Sequence, residues 1–221
     1  MPQFPWSPIT SGARAFAPRR LCAAILATAA AVLPASARAD MVATKTFSYF
    51  AVHGSTAEEL DRGLARGGPL MKSTGARHPG ATRIKFGGTV SYVTRKGGCA
   101  VGTARVTLST KIILPRWTNR KRASRDLALV WDTLAADIKR HEERHAEIAR
   151  NHARDLERAL NRLRPEASCA ALQARVSRLS QEAVEAHDRD QARFDRTEAA
   201  NFDRRILRLL QHRLNALKAE R

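Results

Sequence analysis

The chain has 221 residues, a formal net charge of +18 and three cysteines. This length predicts one or two domains. The charge alone would suggest nucleic-acid binding, but the arginines are scattered over predicted helix faces and no nucleic-acid-binding motif is present, so we expect no specific nucleic-acid partner. A solvated basic surface, or attraction to anionic cell-envelope polymers or acidic substrates, accounts for the charge more simply.

Residues 1–39 have the features of an export signal peptide. Three arginines precede an apolar run from Leu21 to Leu33, and Ala37-Arg38-Ala39 forms a small-x-small cleavage site. The apolar run is too short to span a bilayer comfortably, so we expect no transmembrane anchor after signal removal. The remaining chain, residues 40–221, is predicted to be one periplasmic or secreted domain.

Residues 40–120 are predicted to be mainly β-structure. We expect strands at 44–52, 82–94 and 103–112, with a bulge at Gly87-Gly88 in the second strand and Pro115 ending the third. Thr56 begins a short helix that runs to about Arg66. Regular alternation of apolar and polar residues in the third strand predicts a small antiparallel sheet with one face covered.

Residues 121–221 are predicted to be mainly helical. Ser124 can cap a long helix running to about Leu163. A second long helix begins near Ala170 or Leu172 and runs to Leu217, with a possible break at 199–201. The expected fold class is therefore α+β: a sheet of about three antiparallel strands with a short helix, packed on two long C-terminal helices that carry a zincin-like site.

The cysteines are consistent with export. Cys22 would leave with the signal peptide, and Cys99 and Cys169 would remain as an even pair. Because exported proteins occupy oxidising compartments, we expect these two residues to form a disulfide. It would join the start of a strand to the connection between the two long helices.

The pentapeptide His141-Glu142-Glu143-Arg144-His145 matches the HExxH pattern. Residues four apart share a helix face, so both imidazoles can bind one zinc ion, and Glu142 can act as general base on a zinc-bound water. Steps of three and four place His141 and His145 on the apolar stripe of the first long helix. Histidines in a packed helix face need polar partners, so core histidines paired with carboxylates are the competing interpretation.

The third zinc ligand is expected from the second long helix. Glu198 is the first choice, because a carboxylate on an apolar stripe between Phe194 and Phe202 requires a cation. Asp195 is the second choice and His187 the third. His152 lies two turns beyond His145, about 10 Å along the axis, and is expected to be a core or supporting residue. Ile148 and Asn151 stand where the longer metzincin motif requires glycine and histidine, which disfavours that subclass.

Several short sequence segments, in the order in which they occur along the chain, resemble those of a known bacterial family. They are Gly54-Ser55-Thr56-Ala57-Glu58-Glu59-Leu60, Gly98-Cys99, Leu114-Pro115, Trp131 before His141-Glu142, Cys169, and Phe194-Asp195-Arg196 followed by Glu198. Over residues 44–215 the chain resembles predicted secreted zinc-dependent proteases catalogued as a domain of unknown function. Some relatives carry His-Gly where this chain has Ala200 and Asn201, which favours Asp195 or Glu198 as the third ligand. The resemblance implies a zinc cofactor and a peptide or protein substrate.

Two functions remain open at the level of sequence. The first is a secreted or periplasmic zinc metallopeptidase in which Glu142 is the general base and an edge strand, assigned to 103–113, aligns the substrate. The second is a non-catalytic, basic cell-envelope binding protein with a structural or vestigial metal site. Zinc content and turnover would separate the two.

Overall fold

The structure is a computed structural model that describes residues 41–71 and 75–219. The predicted export signal and Cys22 lie outside the described residues. The elements in chain order are β1 (Val42–Val52), α1 (Ala57–Gly67), β2 (Ala81–Arg95), β3 (Gly98–Trp117), α2 (Arg125–Asn161), α3 (Cys169–Ala200) and α4 (Phe202–Ala219). The three-stranded sheet, the short helix and the long C-terminal helices are confirmed. Within the described ranges, every helix is too short or too polar to cross a membrane.

The sheet has the strand order β1-β3-β2 and is mixed. β2 and β3 form an antiparallel hairpin, whereas β1 runs parallel to β3. The prediction of a wholly antiparallel sheet is therefore wrong for β1. After β1 the chain passes through α1 and enters β2 at the same end of the sheet, so β2 reverses direction and the hairpin restores it in β3.

Two local predictions within the strands are also corrected. The register shift in β2 lies between Val90 and Tyr92 rather than at Gly87-Gly88. A Cβ at position 88 would lie 2.5 Å from the carbonyl oxygen of Arg105, so close approach of the neighbouring strand explains that glycine. Pro115 does not end β3, because pairing with β2 stops at Ile113 and the missing N–H is tolerated where β1 alone flanks the strand.

The long helix α2 packs against one face of the sheet. The alternating residues Ala104, Val106, Leu108 and Ile112 of β3 are buried, as their pattern predicts. Ala149 and Ala153 of α2 have no exposed surface in the same core, because small side chains let the helix approach the sheet closely. Thr110 is the one buried polar residue of β3, and its hydroxyl donates a 3.0 Å hydrogen bond to the carbonyl oxygen of Thr44.

Side-chain caps explain where the helices begin. The Thr56 hydroxyl accepts a hydrogen bond from the N–H of Glu59, and Ser124 and Ser168 cap α2 and α3 in the same way. The predicted break in the second long helix is confirmed, since α3 ends at Ala200 and α4 begins at Phe202. Its C-cap Asn201 donates a side-chain hydrogen bond to the carbonyl oxygen of Thr197 at 2.7 Å.

Cys99 and Cys169 form the predicted pair, with their Cα atoms 4.9 Å apart. Beside them, Cys99 and Glu166 exchange two backbone hydrogen bonds of 2.8 and 2.9 Å. Gly98 has φ +149°, and a Cβ there would lie 2.2 Å from the carbonyl oxygen of Glu166. The start of β3 is therefore held to the α2–α3 connection by covalent and hydrogen bonds at one point.

Candidate metal centre

Two histidines of α2 converge on one point between α2 and α3. His141 and His145 are four residues apart, so their side chains lie one above the other on the same helix face. Their Nε2 atoms are 3.0 Å apart, and their ring centroids are 4.6 Å apart. This arrangement directs two ring nitrogens at a common position, as the HExxH spacing predicts.

Asp195 of α3 supplies a third donor atom. Its Oδ1 lies 3.3 Å from Nε2 of His141 and 3.0 Å from Nε2 of His145. Ligand atoms bound tetrahedrally at about 2.0–2.1 Å from zinc are about 3.3 Å from one another, so the triad nearly matches this spacing. Among the described residues, His141, His145 and Asp195 are the group that can hold a metal ion. Two imidazoles and a carboxylate suit zinc and related divalent metals.

Glu198, the first choice from the sequence, has a different position. Its carboxylate pairs with Arg140 and lies 3.4 Å from Nη2 of Arg205. It also lies 3.6 Å from Nδ1 of His141, on the opposite side of the ring from the triad. In this structure Asp195, the second choice, lies with the two histidines, whereas the Glu198 carboxylate has two arginines as the cations that a carboxylate on this stripe requires.

The third candidate, His187, lies outside the triad. It is buried, and its ring packs edge-on against Phe86 of β2 at 5.0 Å between centroids. Its Nδ1 is 2.9 Å from the carboxylate of Asp188. Burial lowers the pKa of His187, which favours the neutral ring.

Gln191 is a supporting residue that the sequence analysis missed. Its Oε1 accepts a hydrogen bond from Nδ1 of His145, and its Nε2 donates to the carbonyl oxygen of His145 at 3.1 Å. The same amide lies 2.7 Å from Nε2 of His187. With Nδ1 protonated, His145 presents an unprotonated Nε2 to the triad. His187, Gln191 and Asp195 are spaced at intervals of four, and this spacing is the sequence signal that could have placed Gln191 on the same helix face.

Glu142 lies on the sheet side of the triad and is only 5% exposed. The Thr82 hydroxyl of β2 is 2.8 Å from both Oε2 and the carbonyl oxygen of Glu142. Burial raises the pKa of Glu142, and the contact with Thr82 only partly opposes this effect. A carboxyl group with a raised pKa is suited to accept and return a proton near neutral pH.

Gly80 makes room for Glu142. A Cβ on Gly80 would lie 2.9 Å from Oε1 of Glu142 and 2.8 Å from Cγ2 of Ile138. Such a contact would require the carboxylate or the β2 entry loop to move. The glycine before β2 therefore allows the sheet edge to close over this side of the site.

Phe194 forms an apolar wall beside the triad. Its ring stacks on His141 at 4.9 Å between centroids and meets His145 edge-on at 5.1 Å. It also lines a cavity of about 360 Å³ between α2 and α3, together with Arg144, Ile148, Asn151, His152, Asp190, Arg193 and Thr197. One wall of the candidate site is thus shared with a cavity large enough for a side chain.

Neighbouring charges define the electrostatics of the triad. Burial would lower the pKa of His145, but hydrogen bonds with Asp195 and Gln191 outweigh it and raise that pKa. Burial would raise the pKa of Asp195, but the two histidines hold it well below its usual range. His152 pairs with Asp190 at 2.9 Å and does not join the triad, as expected.

Comparison with known proteins gives a family but no characterised relative. No curated protein and no solved structure matches the chain. The family model of a "Bacterial protein of unknown function (DUF922)" matches residues 47–203. This range contains the triad, Glu142 and both paired cysteines. The chain therefore belongs to the DUF922 family of bacterial proteins of unknown function.

Proposed function

We propose that this protein is a secreted or periplasmic zinc-dependent metallopeptidase. The observation that carries the proposal is the convergence of His141, His145 and Asp195 within 3.0–3.3 Å, with Glu142 beside them. The donor set and its spacing fit zinc. The export features of residues 1–39 and the Cys99–Cys169 pair support a location outside the cytosol.

His141, His145 and Asp195 would hold the metal. Zinc in such a site lowers the pKa of a bound water and polarises a substrate carbonyl. Gln191 keeps Nδ1 of His145 protonated and fixes its ring through two hydrogen bonds. The Glu198 carboxylate lies near Nδ1 of His141, where it favours the tautomer that carries the proton on Nδ1 and leaves Nε2 free to bind the metal.

Glu142 would act as the general base and then as the general acid. Thr82 holds Oε2, which leaves Oε1 beside Gly80 to accept a proton. Its raised pKa makes the carboxylate a stronger base and lets the protonated form persist long enough to pass the proton to the leaving amine.

The substrate would be aligned by β2. The segment 103–113, suggested from sequence, lies within β3, whose two edges are occupied by β1 and β2. β2 is an edge strand, and its residue Thr82 contacts Glu142 directly. A peptide adding to the start of β2 would therefore pass beside the proposed base.

Glu142→Gln tests the mechanism. The variant is expected to retain one zinc per chain and to lose at least a hundredfold in turnover, because the amide cannot accept the proton. Turnover is measured on fluorescein-labelled casein and a quenched-fluorescent peptide library, and zinc by elemental analysis. Glu143→Gln is the matched control, since Glu143 lies outside the triad and pairs with Lys139 at 2.7 Å. Equal cleavage by Glu142→Gln and wild type would contradict the mechanism.

A non-catalytic metal-binding protein is the second candidate. The 5% exposure of Glu142 favours it, because a structural or vestigial site does not require the carboxylate to meet solvent or substrate. This candidate predicts stoichiometric zinc with no cleavage by the wild-type protein. A purified chain that takes up no zinc would exclude both candidates.

A further inference from the structure

The outer face of the sheet, the face turned away from α2, is cationic. Arg83 and Lys85 of β2 and Arg105 and Lys111 of β3 are exposed. They alternate with residues that face α2, such as Leu108, which is part of the core, and Ile84, which packs against it. None of the three strands contains an aspartate or glutamate. We define the outer face by these four cations.

These cations lack the partners that cations on the helices have. Several cations on α2 and α3 each pair with a carboxylate: Lys139, Arg144, Arg158 and Arg175. In contrast, the side chains of Arg83, Lys85, Arg105 and Lys111 form no ion pair or side-chain hydrogen bond with another described residue. Their charge is therefore available to a partner in solution.

The strand register concentrates like charges. Arg83 lies directly opposite Lys111, and Lys85 lies opposite Ser109, one side-chain position further along. Like charges directly opposite each other on a sheet destabilise it. An anion bound over this pair would remove that repulsion, so ligand binding and sheet stability are coupled on the outer face.

Hydroxyl groups lie between the two ends of this charged surface. Thr107 and Ser109 separate Lys111 from Arg105, and this run of seven residues spans about 20 Å. Gly87, opposite Thr107, carries no side chain that would cover its hydroxyl. Arginine, lysine, serine and threonine are the side chains that contact phosphate oxygens in nucleic-acid backbones. The same donors are fixed here along one line on a rigid sheet.

We infer that the outer face binds a linear, phosphate-bearing polyanion. The length of the charged run fits a polymer better than a single anion. Base-stacking aromatics, which single-stranded nucleic-acid sites use, are missing among these residues: Phe86 packs toward α3, and Tyr92 packs into the core. The expected partner is therefore a phosphate polymer recognised without bases, and the site is separate from the metal centre.

Binding of the purified full chain to inorganic polyphosphate tests this inference. The outer-face variant carries Arg83→Gln, Lys85→Gln, Arg105→Gln and Lys111→Gln. The matched control carries Arg150→Gln, Arg154→Gln, Arg178→Gln and Arg208→Gln, which are exposed helix positions with the same total charge change. The outer-face variant should bind at least tenfold more weakly. Its slope of log affinity against log salt should be smaller by about 3, because four phosphate contacts are lost.

Thermal unfolding is a second measurement, and it includes a single substitution. Polyphosphate should raise the thermal midpoint of wild type and control, but not that of the outer-face variant. Lys111→Gln alone should raise the midpoint without ligand, because it relieves repulsion with Arg83. No binding by wild type at 50 mM salt, or equal loss in both quadruple variants, would overturn the inference. Poly-glutamate binding as tightly at equal charge would also overturn it, in favour of a polyanion recognised without phosphate.

Discussion

Two carboxylates three residues apart on α3 have distinct positions. Asp195 reaches both histidine Nε2 atoms and is 54% exposed, whereas Glu198 is 17% exposed and lies between two arginines. The pKa of Glu198 is lowered because Arg140 and Arg205 outweigh the effect of burial. The shorter side chain, Asp195, therefore completes the triad, whereas the longer one, Glu198, connects His141 to the arginines.

Replacing each carboxylate should separate these roles. Asp195→Ala removes a donor atom and is expected to weaken zinc binding by more than a hundredfold. Glu198→Gln should weaken it about 10–100-fold, because it disturbs only the support of His141. Competition with a chromogenic chelator measures both affinities. A larger loss in Glu198→Gln than in Asp195→Ala would show that the carboxylates have the opposite roles.

The sequence predicted the positions of His141, Glu142 and His145 more readily than that of the third candidate donor. The positions of His141, Glu142 and His145 follow from helix periodicity within one element. The choice between Asp195 and Glu198 depends on how α3 is rotated against α2. That rotation also depends on Arg140 and Arg205, whose pairing across helices leaves no periodic pattern in the sequence.

At the scale of elements, a polar network joins the three long helices. Asp137 of α2 is buried and accepts hydrogen bonds from Arg205 of α4 at 3.0–3.3 Å and from Arg140 at 3.0 Å. Arg205 also donates to the carbonyl oxygen of Glu198 at 3.1 Å. Because α4 has no buried residue among those described, this network is a main attachment of α4 to α2.

Asp137 should make stability depend on pH. Burial alone would raise its pKa, but Arg205 and Arg140 lower it below the ordinary value. Its stabilisation is therefore complete above the unfolded pKa, near 3.9, and is lost as pH falls through the lower folded value. Asp137→Asn should cost about 1–3 kcal/mol at pH 7, measured by urea unfolding.

The difference between Asp137→Asn and wild type should shrink below about pH 4, as the wild-type carboxyl itself becomes protonated. Asp155→Asn is the control, because Asp155 is 64% exposed and pairs only with Arg158 on its own helix. That variant should change stability by less than about 0.5 kcal/mol. A pH-independent effect of Asp137→Asn would contradict the proposed role of its charge.

At the scale of the molecule, the Cys99–Cys169 bond connects the sheet to the helices. The two residues are 70 apart in sequence, and they join the start of β3 to the start of α3. Closing a loop of this length lowers the entropy of the unfolded chain. The bond therefore stabilises the arrangement in which α3 can approach the histidines of α2.

Replacing both cysteines by serine should lower the free energy of unfolding by about 4 kcal/mol. Urea denaturation under oxidising conditions measures the change. Reduced wild type is the control and should match the double variant, since it has the same open loop. Equal stability of oxidised wild type and the variant would contradict this account.

The element types and most boundaries could be predicted, but the topology of the sheet could not. Capping residues such as Ser124 and the alternation in β3 are local patterns, and both gave the right elements. The parallel pairing of β1 depends on where α1 and the following loop return the chain. For the same reason, local patterns could not predict which strands pair with each other, and segment 103–113 was wrongly predicted to be an edge strand.

The strand order also has a consequence for folding kinetics. β2 and β3 pair across a tight turn, from Arg95 opposite Gly98 onward, so this hairpin can form early. β1 pairs Val42 with Thr107, so the first strand made by the ribosome must wait for the third. Until β1 arrives, one edge of β3 is an unpaired strand that can join another chain. Aggregation during refolding should therefore compete with the docking of β1.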